Sequence, residues 1–218
     1  MLVPMKYDTV IFDLDGTLLD TLDDLTDGVN HALADFVYPL ADREQIRTRL
    51  GYGSGYLIAQ SVPGGCDDPN YQAVFDDYLA YYRAHSSVKT RPYEGVPELL
   101  EELKARGVRR AIVSNKPDSA TQELYERWFA SSVDYAVGER SGIRRKPAPD
   151  SLLEAMRILG AEKRRTVYVG DSEVDIETAA AAGVDCISCT WGFRSAEQLV
   201  RSGAVTLVER AADLLALL

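Results

Sequence analysis

From about Tyr93 onward, short apolar runs alternate with amphipathic segments, and that alternation restricts the chain to few architectures. "VPELLEELKARG" puts Val96, Leu99, Leu100 and Leu103 on one helical face and stops at Gly107. "RRAIVSN" follows as a strand, then a helix around Asp118–Phe129, the strand "VDYAV" and a helix from about Pro149 to Leu159. The strand "TVYVG", a helix over Glu173–Ala182 ending at Gly183, and the strands "DCISC" and "AVTLV" complete the series. With the β-branched and aromatic run Thr9–Phe12, this order predicts βαβ units: an α/β fold with a mostly parallel sheet covered on both faces.

Between Leu18 and about Thr90 that texture is missing. Leu22–Phe36, Asp42–Leu50, Gly55–Val62 and Pro69–Ala84 read as helices, separated by the loops "GYGSG" (51–55) and "VPGGCDDPN" (62–70). Some ~70 residues are too many for an ordinary strand-to-helix connection. A chain of 218 residues is long enough for one domain with an insertion. The expected division is a core of residues 1–17 and 91–218 and a helical cap of residues 18–90, jointed near Gly16–Asp20 and Ser87–Tyr93.

In an open parallel sheet, ligands collect at the carboxyl ends of the strands. Thr9–Phe12 ends in Asp13-Leu14-Asp15-Gly16-Thr17, two carboxylates two residues apart behind a buried strand. Like charges that close repel, and burying an unpaired carboxylate is costly, so a bound cation is the obvious compensation. "AIV" is followed by Ser114 and Asn115, and Lys146-Pro147 precedes the helix at Pro149. "TVYV" leads into Gly170-Asp171-Ser172-Glu173-Val174-Asp175. Carboxylates, a hydroxyl and an amine would thus meet at one sheet edge.

This ordered set (D-x-D-G-T, a strand-end Ser, a Lys before a helix, G-D-S-x-x-D) resembles the haloacid-dehalogenase superfamily of aspartate-nucleophile phosphatases along the whole chain. The resemblance implies a Rossmann-like doubly wound core with an inserted all-helical cap. It also implies Mg²⁺-dependent hydrolysis of a phosphate monoester through an aspartyl-phosphate. A carboxylate nucleophile divides a very slow hydrolysis into two steps, and a hard cation offsets the approach of an anion to a phosphodianion. By this resemblance Asp13 is the nucleophile and Asp15 the general acid and base. Ser114 would donate to the phosphoryl group, and Lys146 would pair with Asp13 and a phosphoryl oxygen. Asp13, Asp171 and the Asp15 carbonyl would hold Mg²⁺, with Asp175 acting through water or supporting Asp171. Thr17 would orient Asp15 and, with Asn115, face the substrate.

Substrate choice would lie in the cap. Arg47, Thr48, Arg49, Leu50 and "GYGSGYL" are its candidate segment, because glycines opening a helix can present N–H groups to an anion. Arg49, Gly51 and Gly53 are the expected contacts; the alternative is a plain corner with solvated arginines. The pattern G-x-G-x-x-x-L (Gly51, Gly53, Leu57) resembles phosphoglycolate phosphatases, which makes 2-phosphoglycolate the expected substrate. β-Phosphoglucomutases carry an Arg in a G-x-S-R loop, and alignment at Gly51 puts Ser54 there. A mutase, or a phosphatase or pyrophosphatase acting on another phosphorylated metabolite, is the alternative activity. Arg144 and Arg145 read as solvated loop residues, with a grip on substrate as the other reading. Trp191-Gly192-Phe193 either lines the pocket or packs in the core, and Gly192 permits close backbone approach.

A net charge of −10 argues against nucleic-acid and anionic-membrane partners. No apolar run approaches the ~20 residues of a membrane helix. No secretory leader is recognised before the first strand, and Cys66, Cys186 and Cys189 make no disulfide framework. Cys186 and Cys189 form a C-x-x-C that reads as two strand residues rather than half a zinc site or a redox pair. The expected setting is cytoplasmic, as a monomer or homodimer with a small phosphorylated metabolite as its partner.

Overall fold

The computed structural model describes residues 6–218. Strand β1 (Thr9–Phe12) is buried throughout: Val10 and Phe12 belong to one apolar layer and Ile11 to the other. Apolar residues on both faces of a strand require cover on both. The chain turns at Gly16 into the short strand β2 (Leu19–Asp20) and enters a helical insert. Within it, α1 (Leu22–Asp35) packs on α2 (Arg43–Thr48), and α3 (Ser54–Ala59) leads to α4 (Tyr71–His85), which returns along α1. Helix α2 starts in a capping box, in which Asp42 accepts the Gln45 N–H and the Gln45 side chain accepts the Asp42 N–H. Leu25, Val29, Leu33, Ile46, Leu57 and Val74 give the insert an apolar core of its own. The chain leaves through β3 (Arg91–Pro92), antiparallel to β2. Asp24 pins this exit by accepting from the Lys89 and Thr90 N–H groups and the Thr90 hydroxyl.

Strands and helices then alternate. The series is α5 (Val96–Ala105), β4 (Arg109–Pro117), α6 (Asp118–Trp128), β5 (Tyr135–Glu139), α7 (Asp150–Leu159) and β6 (Thr166–Gly170). It ends with α8 (Glu173–Ala182), β7 (Asp185–Cys189), α9 (Ala196–Arg201) and β8 (Leu207–Val208). Six strands form one parallel sheet in the order β5-β4-β1-β6-β7-β8. Helices α5 and α6 pack on the Phe12 face, α7 and α8 on the Ile11 face. This is the doubly wound α/β fold. Strand order runs outward from β1 in both directions, so the crevice at the carboxyl ends of β1, β4 and β6 is its switch point.

Several boundaries differ from the sequence expectation. Helix α3 starts at Ser54, inside the expected loop, because Gly53 turns the chain at φ +86°. Strand β4 runs past Asn115 to Pro117, with a register slip after Val113. "AVTLV" pairs only at Leu207–Val208. The β2–β3 ribbon and α9 had no sequence counterpart, since two-residue strands show no period. Among the described residues, no helix is long and apolar enough to cross a membrane.

Candidate active site

Asp13 is the first residue beyond β1, and its N–H donates to the Val169 carbonyl of β6. That bond anchors the strand end while the side chain projects into the crevice. Its Oδ1 accepts the Leu14 N–H at 2.7 Å and lies 2.9 Å from Lys146 Nζ. No described residue hydrogen-bonds Oδ2. Lys146 is buried and also reaches Asp175 Oδ1 at 2.8 Å and the Tyr168 hydroxyl at 2.9 Å. Burial pushes the Asp13 carboxyl up to about 7; the Lys146 charge opposes this, and the Asp175 and Asp15 charges add to it.

Asp171 and Asp175 follow β6 at the start of α8. Asp171 Oδ1 accepts from the Thr17 hydroxyl at 3.2 Å and Oδ2 from the Phe193 N–H at 2.7 Å. Asp175 is fully committed: Oδ1 faces Lys146, while Oδ2 accepts the Asp171 and Ser172 N–H groups and the Ser172 hydroxyl. It therefore holds Lys146 and the α8 turn in place. Two glycines make room for Asp171. A Cβ on Gly16 (φ +84°) would lie 2.4 Å from Asp171 Oδ2, and one on Gly192 would lie 2.3 Å from the Gly16 carbonyl oxygen.

The structure adds a residue that sequence reasoning missed. Lys116, on the extra length of β4, is buried and grips both Asp15 oxygens at 2.7 and 2.9 Å. Its ammonium also sits 4.8 Å from the Tyr82 ring centroid. The available signal was Ser114-Asn115-Lys116 itself, which in isolation looks like a strand ending in solvent. Ser114 is buried at the cavity, where its Oγ accepts the Lys116 N–H.

Two expected substrate contacts turn elsewhere. The Thr17 hydroxyl faces Asp171, not Asp15, and lies beside the Cys189 thiol of β7. Asn115 lines the cavity, but its amide is occupied by the Lys146 N–H, the Lys146 carbonyl and the Gly51 carbonyl.

The insert closes the crevice from above. Leu25, Leu50, Gly51, Gly53, Ser54, Leu57, Tyr78 and Tyr82 face Asp13, Asp15, Ser114, Lys116 and Phe193 across a cavity of about 40 Å³. At roughly 10–15 Å³ per water, that is room for about three waters or one small anion. Gly51 (φ +113°) and Gly53 bring backbone against the sheet edge, and a Cβ on Gly53 would lie 3.1 Å from the Asn115 carbonyl oxygen. Arg49 is not part of the lining; its guanidinium donates to Ser61 within the insert, since its Cα caps the end of α2. Arg47 instead donates to the Phe193 carbonyl. Arg194 answers from the core: paired with Glu173, it donates to the Leu50 and Arg47 carbonyls at 2.8 and 3.1 Å. Arg144 is solvated against Asp150, and Arg145 pairs loosely with Glu139. Phe193 lines the cavity, whereas the Trp191 indole N–H donates to the Thr17 carbonyl. Cys186 and Cys189 lie along β7, and burial pushes the Cys186 thiol up to about 12.

Asp13, Asp171 and Asp175 each offer an oxygen within 4.8 Å of the others. Burial, then the charges of Asp175 and Asp13, pushes the Asp171 carboxyl well up. A cation shared by Asp13 and Asp171 removes that penalty, and an all-oxygen donor set suits a hard divalent ion. The residues present therefore fit a divalent metal.

Residues 10–189 match the family model described as haloacid dehalogenase-like hydrolase. The chain is 32% identical over 212 residues to phosphoglycolate phosphatase 1 of Pseudomonas aeruginosa, covering 94% of this chain and 78% of that one. It is 30% identical over 190 residues to the N-acetylmuramic acid 6-phosphate phosphatase of the same organism, covering 87% and 84%. A crystal structure of a candidate phosphoglycolate phosphatase from Lactobacillus delbrueckii superposes with a TM-score of 0.91 at 38% identity, covering 98% and 99% of the two chains.

Proposed function

This chain belongs to the haloacid dehalogenase-like hydrolase family and is a phosphoric monoester hydrolase, and we propose that its substrate is 2-phosphoglycolate, cleaved with Mg²⁺ through an aspartyl-phosphate on Asp13. One observation carries the reading: Asp13 lines the cavity and is held through Oδ1 by Lys146 and Leu14, leaving Oδ2 without a partner among the described residues. Oδ2 attacks phosphorus, and the ester oxygen departs. Lys146 keeps the carboxylate aligned and offers positive charge to a phosphoryl oxygen. Ser114 adds a hydroxyl donor. Asp15 gives a proton to the departing oxygen and later takes one from the attacking water. To do so, one of its oxygens must leave Lys116.

Asp13, Asp171 and the Asp15 main-chain carbonyl would hold the metal, while Asp175 positions Lys146. When bound, Mg²⁺ supplies charge neutralisation between the carboxylates and the phosphate. The helical insert serves as the cap that excludes water from the cavity. Two relatives of nearly equal identity carry names with different substrates, and a panel that contains both compounds decides between them. Among the described residues, no lysine or arginine of the insert lines the cavity, and Ser54 stands where the mutases carry their loop arginine, which speaks against a mutase. The reading includes a cytoplasmic monomer or homodimer without nucleic-acid or membrane partners, resting on the charge of −10.

Phosphate release from a panel of 2-phosphoglycolate, hexose phosphates, N-acetylmuramic acid 6-phosphate, nucleotides and pyrophosphate, with and without Mg²⁺, tests it. The expected result is Mg²⁺-dependent release that is greatest with 2-phosphoglycolate. A hexose phosphate released faster would overturn the substrate assignment.

A further inference from the structure

Hydrogen-bond donors are left over on one wall of the cavity once the site is assembled. An ammonium has three N–H bonds, and Lys116 gives two of its own to Asp15. The Tyr78 and Tyr82 hydroxyls are buried and belong to residues lining the same cavity; that of Tyr82 has no partner, and that of Tyr78 has only the Ser54 hydroxyl beside it. Buried hydroxyls are nearly always satisfied, so under-satisfied ones beside a cavity call for an occupant. The rings are fixed. They stack 5.5 Å apart at 13°, and Tyr78 packs so closely on α1 that a Cβ on Gly28 would lie 3.2 Å from it. Burial pushes the Tyr78 phenol up, so it remains a donor at neutral pH. The only acidic side chains lining the cavity, among the described residues, are Asp13, Asp15 and Asp171 at its reacting end. The group that satisfies surplus donors is one that only accepts, and a carboxylate is such a group.

We propose that Tyr78, Tyr82 and Lys116 form a subsite for a carboxylate on the leaving group, so that this enzyme prefers phosphate esters of short hydroxy acids. Leu25 and Leu57 close the rest of that wall, which limits the spacer between ester oxygen and carboxylate. The proposal rests on the phosphatase reading of the cavity and adds the residues that would read the substrate.

The test compares 2-phosphoglycolate with ethyl phosphate, which carries a methyl group in place of the carboxylate. In Tyr78→Phe, the ratio of kcat/KM for the acid over the ethyl ester is expected to fall about tenfold or more, the scale of a hydrogen bond to a charged group. Most of that loss should appear in KM, and Tm should change little, because the Ser54 hydroxyl is the one neighbour the phenol loses. An unchanged ratio overturns the proposal, as does equal loss on both esters with a lowered Tm. If the wild-type chain cleaves both esters equally well, the carboxylate subsite is wrong while the phosphatase reading stands. If it cleaves neither, the function assigned to the cavity fails, and calorimetric binding of 2-phosphoglycolate to Asp13→Asn decides the subsite. Weaker binding on adding Tyr78→Phe supports it; unchanged binding overturns it.

Discussion

At the sheet edge, Asp175 holds Lys146, Lys146 holds Asp13, and Asp175 also satisfies the turn that presents Asp171. Across the cavity, Leu25, Leu57, Tyr78 and Tyr82 present apolar surface, with the two phenol hydroxyls buried and under-satisfied. One wall is a closed network of charges in which every group fixes another. The other is loosely specified and leaves polar atoms waiting. Fixed charges suit bond breaking, which needs groups in place beforehand. Unmet donors suit recognition, because an arriving ligand supplies what they lack. The two walls should therefore respond differently to substitution.

Asp13→Asn should give the largest effect, a loss in kcat of about 10³-fold or more with Tm retained, measured by phosphate release and thermal melting. Retained turnover would remove the nucleophile and with it the contrast between the walls. Asp175→Ala comes next. It leaves Lys146 and the Asp171 turn with unmet groups, so unfolding in urea should show a loss of roughly 3 kcal/mol together with loss of activity. Stability equal to wild type would mean the charge network is not closed as described. Arg194→Ala cuts the link from Glu173 to the Leu50 and Arg47 carbonyls. A fall in kcat/KM of about tenfold is expected, with faster proteolysis in the insert and little change in core unfolding. Arg49→Ala should matter least, changing KM by about twofold or less, because its guanidinium stays within the insert. A larger rise in KM would put Arg49 back at the substrate.

The sequence made the sheet-edge wall legible because that wall is written in short, local spacings. Asp13-x-Asp15, Ser114 and Asp171-x-x-x-Asp175 each lie at the end of a strand whose apolar run could be seen. Lys116 escaped because β4 runs four residues beyond its apolar stretch, and a lysine after Ser-Asn reads as the edge of a loop. Arg194 escaped for a different reason: its partners Arg47 and Leu50 lie some 140 residues away in the chain, and no local pattern announces them. Tyr78 and Tyr82 sit on the buried stripe of a helix, where aromatic residues signify packing. Only their under-satisfied hydroxyls mark them out, and that requires coordinates. Arg49 shows the opposite error. It follows the right segment but caps a helix, so its side chain leaves on the wrong side.

The β2–β3 ribbon places the entry and exit of the helical insert side by side, joined by backbone hydrogen bonds. An element whose two ends are neighbours can be excised, lengthened or exchanged for another without moving any strand of the sheet. In such a molecule, descent with a changed diet of substrates needs no change in chemistry: a lineage can trade the insert while its Asp13, Lys146 and Asp171 stay where they are. The ribbon is thus the seam along which this enzyme is divisible.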